Sequence, residues 1–165
     1  MAGKAKRTVV LVRGPSGSGK TTYAEGLRRR AERDGEAFAR MSADDFFEKD
    51  GRYAYDPARR LEAHQVCLGR FIEALARMGE GRPAVVVVDN TFCERWEMEN
   101  YVRLARLLGW GLRVVEMAVE TADDEALCAG RNTHGVPYET VAGYARRFEP
   151  WPGAERVRVS EGGRA

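Results

Sequence analysis

Gly14-Pro15-Ser16-Gly17-Ser18-Gly19-Lys20-Thr21 fits the pattern G-x-x-x-x-G-K-[ST], and no other stretch restricts the fold of this chain as tightly. The pattern is a folding constraint as much as a chemical one. Its glycines let successive backbone N–H groups turn into one concavity, and a helix must open inside the loop so that its N-terminus adds partial positive charge. Both flanks meet the requirement. Arg7 to Arg13 is rich in β-branched residues and stops at Gly14 as a buried strand does. A helical pattern then runs from Lys20 to about Asp34, where Asp34-Gly35 ends it. Gly14, Pro15, Ser16, Gly17, Ser18, Gly19, Lys20, Thr21 and Thr22 are therefore expected to hold the phosphates of a nucleotide, with ATP and Mg²⁺ as the expected cofactors. Lys20 is the expected catalytic cation at the β- and γ-phosphates, a mobile point charge that an arginine fork does not replace, and the Thr21 hydroxyl is an expected Mg²⁺ ligand.

The rest of the chain alternates strand and helix. Ala37 to Met41 reads as a second strand that breaks into Ser42-Ala43-Asp44-Asp45. Asp56-Pro57 is an N-cap followed by a helix-opening proline, and it starts an amphipathic helix reaching about Met78. Leu61, Val66, Leu68, Ile72 and Leu75 are the residues expected to pack that helix on a sheet. Ala84 to Val88 is apolar throughout, as a strand of a parallel sheet buried on both faces should be. Further elements are predicted as a helix over Arg95–Leu108, a strand over Leu112–Met117, a helix opened by Thr121 with Asp124 in a capping-box relation, a helix over Tyr138–Phe148 behind Pro137, and a short edge strand at Val157–Val159. The expectation is one α/β domain over residues 1–165, a P-loop NTPase with a mostly parallel sheet flanked by helices, resembling nucleotide kinases with a short lid, and with 161–165 as a frayed tail.

Composition narrows the function classes. The 27 basic side chains barely exceed the 25 acidic ones, and a net charge of +2 sets up no global field for an extended polyanion. The unbroken aliphatic run Ala84–Val88 falls far short of the roughly 20 residues a membrane span needs, and Val9–Val12 is too short for a signal-peptide core. A cytoplasmic location follows as the expectation, with no membrane partner. Cys67, Cys93 and Cys128 stand far apart without a C-x-x-C pair, which argues against a zinc cluster and against a disulfide-linked partner. The chain has no N-K-x-D guanine-reading sequence, no D-x-x-G after Asp89 and no L-S-G-G-Q element, which leaves small-substrate kinases among P-loop classes.

Phosphoryl transfer to a hydroxyl needs a carboxylate to orient the acceptor and take its proton. Asp44 is the candidate acceptor base, in the loop after the second strand, with Asp45 either beside it at the acceptor or capping the next turn. Asp89 ends the central strand where a second metal ligand belongs, and Asn90 and Thr91 are expected to face the acceptor. Gly130-Arg131-Asn132-Thr133-His134-Gly135-Val136-Pro137 reads as a lid whose Arg131 is expected to close over the transferring phosphate. At least one of Phe46 and Phe47 is expected in the core, while Arg146, Arg147 and His134 receive no assigned role.

Gly14–Thr22, Ala43-Asp44-Asp45-Phe46, Val88-Asp89-Asn90-Thr91 and Gly130-Arg131-Asn132, in this order and spacing, resemble the polynucleotide 5′-kinase branch of P-loop kinases, and more closely a group of small single-domain relatives often labelled AAA ATPases. The resemblance runs from Val9 to about Phe148. It implies an ATP-dependent kinase acting on the 5′-OH of DNA or RNA, with Asp44 as base and Arg131 as lid arginine. The chain departs from the family in having Phe46-Phe47-Glu48 where polynucleotide kinases often carry an acceptor-binding arginine, and in its shorter, less basic lid. A small-molecule kinase for a nucleoside, sugar or antibiotic hydroxyl is the alternative, and an ATP-binding switch module without transfer is the third reading.

Overall fold

The computed structural model describes residues 6–78 and 81–159, so the expected tail at 161–165 lies outside the described residues. β1 (Arg7–Arg13) leads through the glycine-rich loop into α1 (Lys20–Arg33), followed by β2 (Ala37–Met41). A single 3-10 turn at Asp44–Phe46 then feeds a two-stranded antiparallel hairpin, β3 (Glu48–Lys49) and β4 (Arg52–Tyr53). The chain continues as α2 (Arg60–Arg77), β5 (Ala84–Asn90), α3 (Glu99–Leu107), β6 (Gly111–Ala118), α4 (Ala122–Arg131), α5 (Tyr138–Arg147) and β7 (Glu155–Arg158). The sequence predicts these elements with small differences at their ends, and the hairpin, whose strands are two residues each, is the addition.

The main sheet has the order β2-β5-β1-β6-β7, with each pair parallel. Parallel neighbours require crossover helices, and these cover both faces. Val9, Leu11, Ala84, Val86 and Val88 face one core shared with α2 and α3, while Val10, Val12, Val87 and Val115 face a second core shared with α1, α4 and α5. Thr121 and Asp124 form the reciprocal capping box at the start of α4, each accepting the other's backbone N–H at 3.1 Å. Among the described residues no helix is long and apolar enough to cross a membrane, and Cys67, Cys93 and Cys128 are buried free thiols.

The face that α2 presents matches the expected one in part: Leu75 is buried and Leu68 packs against the core as expected, but Leu61 and Ile72 face out. Leu61 is 71% exposed and Ile72 47% exposed, whereas Ala63, Cys67, Phe71, Ala74 and Leu75 are buried. Ala63, Cys67, Phe71 and Ala74 fall at the four- and three-residue spacing of one helical stripe, and Leu61 and Ile72 lie outside it. The buried stripe mixes small residues, Ala63, Cys67 and Ala74, with large ones, Phe71 and Leu75, so position on the helix and not size selects the inward face.

A fully buried arginine braces the C-terminal end of the sheet. Arg13 and Glu116 are register partners on β1 and β6, with Arg13 at 0% exposure. Its Nη1 lies 3.3 Å from Glu116 Oε1, and its nitrogens donate at 2.8 Å to the carbonyls of Phe92, Cys93 and Glu149. The guanidinium also sits 4.3 Å from the Phe148 ring centre. Phe92 occupies a left-handed backbone conformation, φ 45°, that is costly for a non-glycine residue. Arg13 thus ties the loop after β5 and the loop before β7 to the strand that carries the glycine-rich loop. Arg13→Met should lower stability by about 3–5 kcal/mol, because it removes the buried partner of Glu116 and leaves three carbonyls bare. Urea denaturation checks this, and adding Glu116→Gln should recover part of the loss.

Candidate functional site

The glycine-rich loop is built by close approach. The Gly14 N–H donates to the Thr91 carbonyl at 3.1 Å, docking the start of the loop on the end of β5. A Cβ on Gly14 would fall 2.7 Å from Met117 Cβ. Gly17 has φ +78°, and a Cβ there would meet the Cys128 carbonyl oxygen at 1.9 Å. The loop therefore packs against the last turn of α4 with no room for a side chain. Ser18 Oγ is buried inside the loop without a hydrogen-bond partner among the described residues. Lys20 Nζ donates to the Pro15 carbonyl at 2.8 Å, and its pKa is pushed down by burial against the opposing pull of Asp89 and Asp44.

Strand alternation brings charged groups to this loop. Phe38 and Arg40 of β2 share a sheet face with Val85, Val87 and Asp89 of β5, in a register that pairs Arg40 with Val87. Arg40 Nη2 accordingly donates to Asp89 Oδ2 at 3.0 Å, and Nη1 donates to Asp45 Oδ1 at 3.0 Å. The Thr21 hydroxyl reaches the same Asp89 Oδ2 at 3.4 Å. Asp89 is 1% exposed, and burial raises its pKa while Arg40 draws it down. Asp89 Oδ1 is buried with no hydrogen-bond partner among the described residues. A hydroxyl and an orphaned carboxylate oxygen beside a phosphate loop fit Mg²⁺, which takes one or two protein oxygens and completes its shell with phosphate and water.

The adjacent residue does something else. Asn90 is buried on the opposite face, its Oδ1 accepting the Ala43 N–H at 2.8 Å and its Nδ2 lying 3.6 Å from Cys67 Sγ. It supports the loop from below instead of facing an acceptor, because alternation turns it away from Asp89. Asp45 lies within the 3-10 turn and does not cap it; its carboxylate accepts the Ser42 N–H at 2.9 Å and holds Arg40 in the cleft wall. Phe47 is buried, and Phe46 packs beside it with their ring centres 5.2 Å apart.

Asp44 projects from the supported loop with its side chain 50% exposed. The Tyr53 hydroxyl of β4 donates to its Oδ1 at 3.3 Å, and His134 Nδ1 lies 3.8 Å from its Oδ2. Tyr53 and His134 stack on each other, 3.9 Å between ring centres and 9° from parallel. Burial, then the charge of Asp44, raises the Tyr53 pKa, so the phenol stays protonated as a donor. Neither residue was singled out as a partner of Asp44, since Tyr53 depends on the short hairpin and His134 on the path of the α4–α5 loop.

Two clefts meet here. One of about 620 Å³ is lined by residues 16–22 together with Arg40, Asp45, Asp89, Arg131 and His134. The other, of about 430 Å³, is lined by Phe47, Tyr53, Tyr55, Trp96, Arg60 and Arg147, among others, and it includes Pro15 and Thr91. Ser16, Lys20, Asp44 and His134 line both. Arg131 borders the first cleft, but its Nη1 donates to the Val159 carbonyl at 3.1 Å, on the side of β7. Arg147 borders the second, and Arg146 is exposed.

This parallel sheet with a phosphate loop at the end of β1 has the α/β P-loop fold in its kinase-like form. The chain belongs to the AAA domain family, whose pattern it matches over residues 9–151. It is 30% identical to human NEDD4-binding protein 2 over 141 residues, which cover 86% of this chain and only 8% of that protein. In structure it is similar to the Mycobacterium tuberculosis APS kinase CysC in complex with AMPPNP and APS, at TM-score 0.62 and 18% identity, covering 97% of this chain and 94% of that one. A gluconokinase from Sinorhizobium meliloti gives TM-score 0.56 at 18% identity, covering 98% and 90%. Kti12 of Chaetomium thermophilum in complex with ADP-AlF3 gives 0.62 at 14% identity, covering 91% and 88%. Nucleotide binding is the property that the loop and this fold have in common. Gly17→Ala should weaken nucleotide binding and destabilise the fold by about 1–3 kcal/mol through backbone strain, as read by fluorescent-nucleotide titration and by calorimetry.

Proposed function

We propose that the chain is an ATP-dependent kinase that transfers the γ-phosphoryl group to a hydroxyl, and that its acceptor is the 5′-OH of DNA or RNA. The observation that carries this reading is the position of Asp44, a carboxylate at the junction of two clefts that both reach Lys20. The first cleft takes the triphosphate. The backbone N–H groups of the loop, Ser18 and Lys20 bind its β- and γ-phosphates, and Thr21 and Asp89 would hold Mg²⁺, which would supply neutralising charge there. The acceptor oxygen forms its bond to the γ-phosphorus as the bond to the β-phosphate oxygen breaks and ADP leaves. Asp44 accepts the hydroxyl proton, held in orientation by Tyr53 and the neighbouring His134.

The second cleft supports a nucleic-acid acceptor. Tyr55 and Trp96 offer exposed aromatic surfaces, and base stacking on such surfaces contributes about 1–3 kcal/mol per base. Arg60 and Arg147, in a lining that also holds Glu94 and Glu97, supply local charge for a single backbone phosphate. A small-molecule acceptor is the second reading, favoured by the 430 Å³ size of that cleft, which suits a single metabolite.

Labelled ATP offered with a 5′-OH oligonucleotide and, separately, with nucleosides, sugars and aminoglycosides decides between them. Transfer to the oligonucleotide that weakens as salt rises is the expected result. Transfer confined to a metabolite moves the acceptor to the second reading, and none to any acceptor leaves an ATP-binding switch. Asp44→Ala should lower turnover by about 10² to 10⁴ while ATP affinity stays close to that of the unaltered chain. Unchanged turnover removes Asp44 from the mechanism.

A further inference from the structure

Arg40 was not among the residues that the sequence marks for chemistry, yet it stands at the centre of the charged cluster. Its guanidinium spans two carboxylates of different character. Asp89 is buried and has one orphaned oxygen, whereas the Asp45 side chain is 27% exposed and pinned through the Ser42 N–H. Arg40 Nε has no hydrogen-bond partner among the described residues. Arg40 also borders the first cleft beside Lys20, Thr21 and Asp44, while the lid arginine, Arg131, is engaged by the Val159 carbonyl.

A cation on the free Oδ1 of Asp89 would share the carboxylate with Arg40, which bonds Oδ2. Held by Thr21 and Asp89, a divalent ion would neutralise the carboxylate that Arg40 bonds and would repel the guanidinium. Asp45 still holds its other nitrogen at 3.0 Å, a tether that keeps Arg40 at the cleft. We propose that Arg40 is a displaceable counter-ion of Asp89. It neutralises that buried carboxylate before nucleotide binds, yields it to Mg²⁺ when Mg²⁺·nucleotide binds, and then, tethered to Asp45, faces the transferring phosphoryl group. The inference rests on the reading of the first cleft as a Mg²⁺·ATP site, and it assigns to Arg40 the charge-stabilising role expected of Arg131.

The test compares the full chain with its Arg40→Met, Arg40→Lys and Asp45→Asn variants. A fluorescent ADP analogue titrated with Mg²⁺ gives the half-saturating Mg²⁺ concentration without requiring any transfer. Arg40→Met should lower that concentration about tenfold, within the usual range of site-to-site coupling, and should lower the melting temperature of the nucleotide-free protein. Asp45→Asn should raise the half-saturating concentration, because Arg40 then rests on Asp89 alone. In single-turnover transfer, Arg40→Met should be slower by about 10³ or more, with Arg40→Lys recovering the melting temperature better than the rate. An unchanged or higher Mg²⁺ requirement in Arg40→Met overturns the displacement, as does a lower one in Asp45→Asn, which stands as the test if Arg40→Met does not fold. A single-turnover rate equal to that of the unaltered chain overturns the contact with the transferring group. Failure to find any acceptor would sink the kinase reading and leave the Mg²⁺ titrations to decide the counter-ion role separately.

Discussion

Consecutive side chains at the end of β5 point to opposite faces of the sheet, and the arrangement of the site depends on that alternation. Asp89 falls on the face of α1 and the phosphate loop, where Thr21 and Arg40 meet it. Asn90 falls on the face of α2, where its amide bonds Ala43 and lies beside Cys67. One residue serves the phosphate side, and its neighbour props up the loop from which Asp44 projects. A one-residue slip of β5 against β2 would exchange the two roles, so the parallel register is itself a functional constraint.

The neighbouring β1–β6 register is guarded by charge as well as by packing. Arg13 and Glu116 are direct partners across β1 and β6, buried beyond the reach of water. Removing an arginine and a glutamate from water costs several kcal/mol each, so they are tolerable only with their bonds made. The carbonyls of Phe92, Cys93 and Glu149, and the Trp151 N–H on Glu116 at 2.6 Å, complete those bonds. The network holds irregular loops against the sheet end where the glycine-rich loop docks through Gly14 and Thr91. Across the clefts, the stacked Tyr53 and His134 join the hairpin to the α4–α5 loop above Asp44.

Much of this was legible from local pattern. The glycine-rich loop, the strand before it and the helix within it are dictated by residues 7–33, because backbone geometry there depends on near neighbours. Asp44 and Asp89 were legible as carboxylates at strand ends. Arg40, Tyr53 and the Arg13–Glu116 pair were not, since each acquires its role from a partner distant in sequence. β5 is apolar from Ala84 to Val88, so no polar alternation marked which face Asp89 or Asn90 would take. On α2 the sequence points to Leu75 and Leu68 but not to Ala63, Cys67 or Ala74, because which stripe of the helix meets the sheet is set by its docking and not by any local pattern.

The sequence by itself determined a parallel α/β P-loop chain and the residues able to cradle phosphates, because those properties reside in short stretches with restricted backbone choices. Only the tertiary structure decided how the remaining charges pair. It sent Arg40 to Asp89 and Asp45, Arg131 to the carbonyl of Val159, and Tyr53 with His134 to Asp44. Such pairings follow from strand order, register and loop path, which the long-range burial of the sheet's two faces sets together and no single segment encodes.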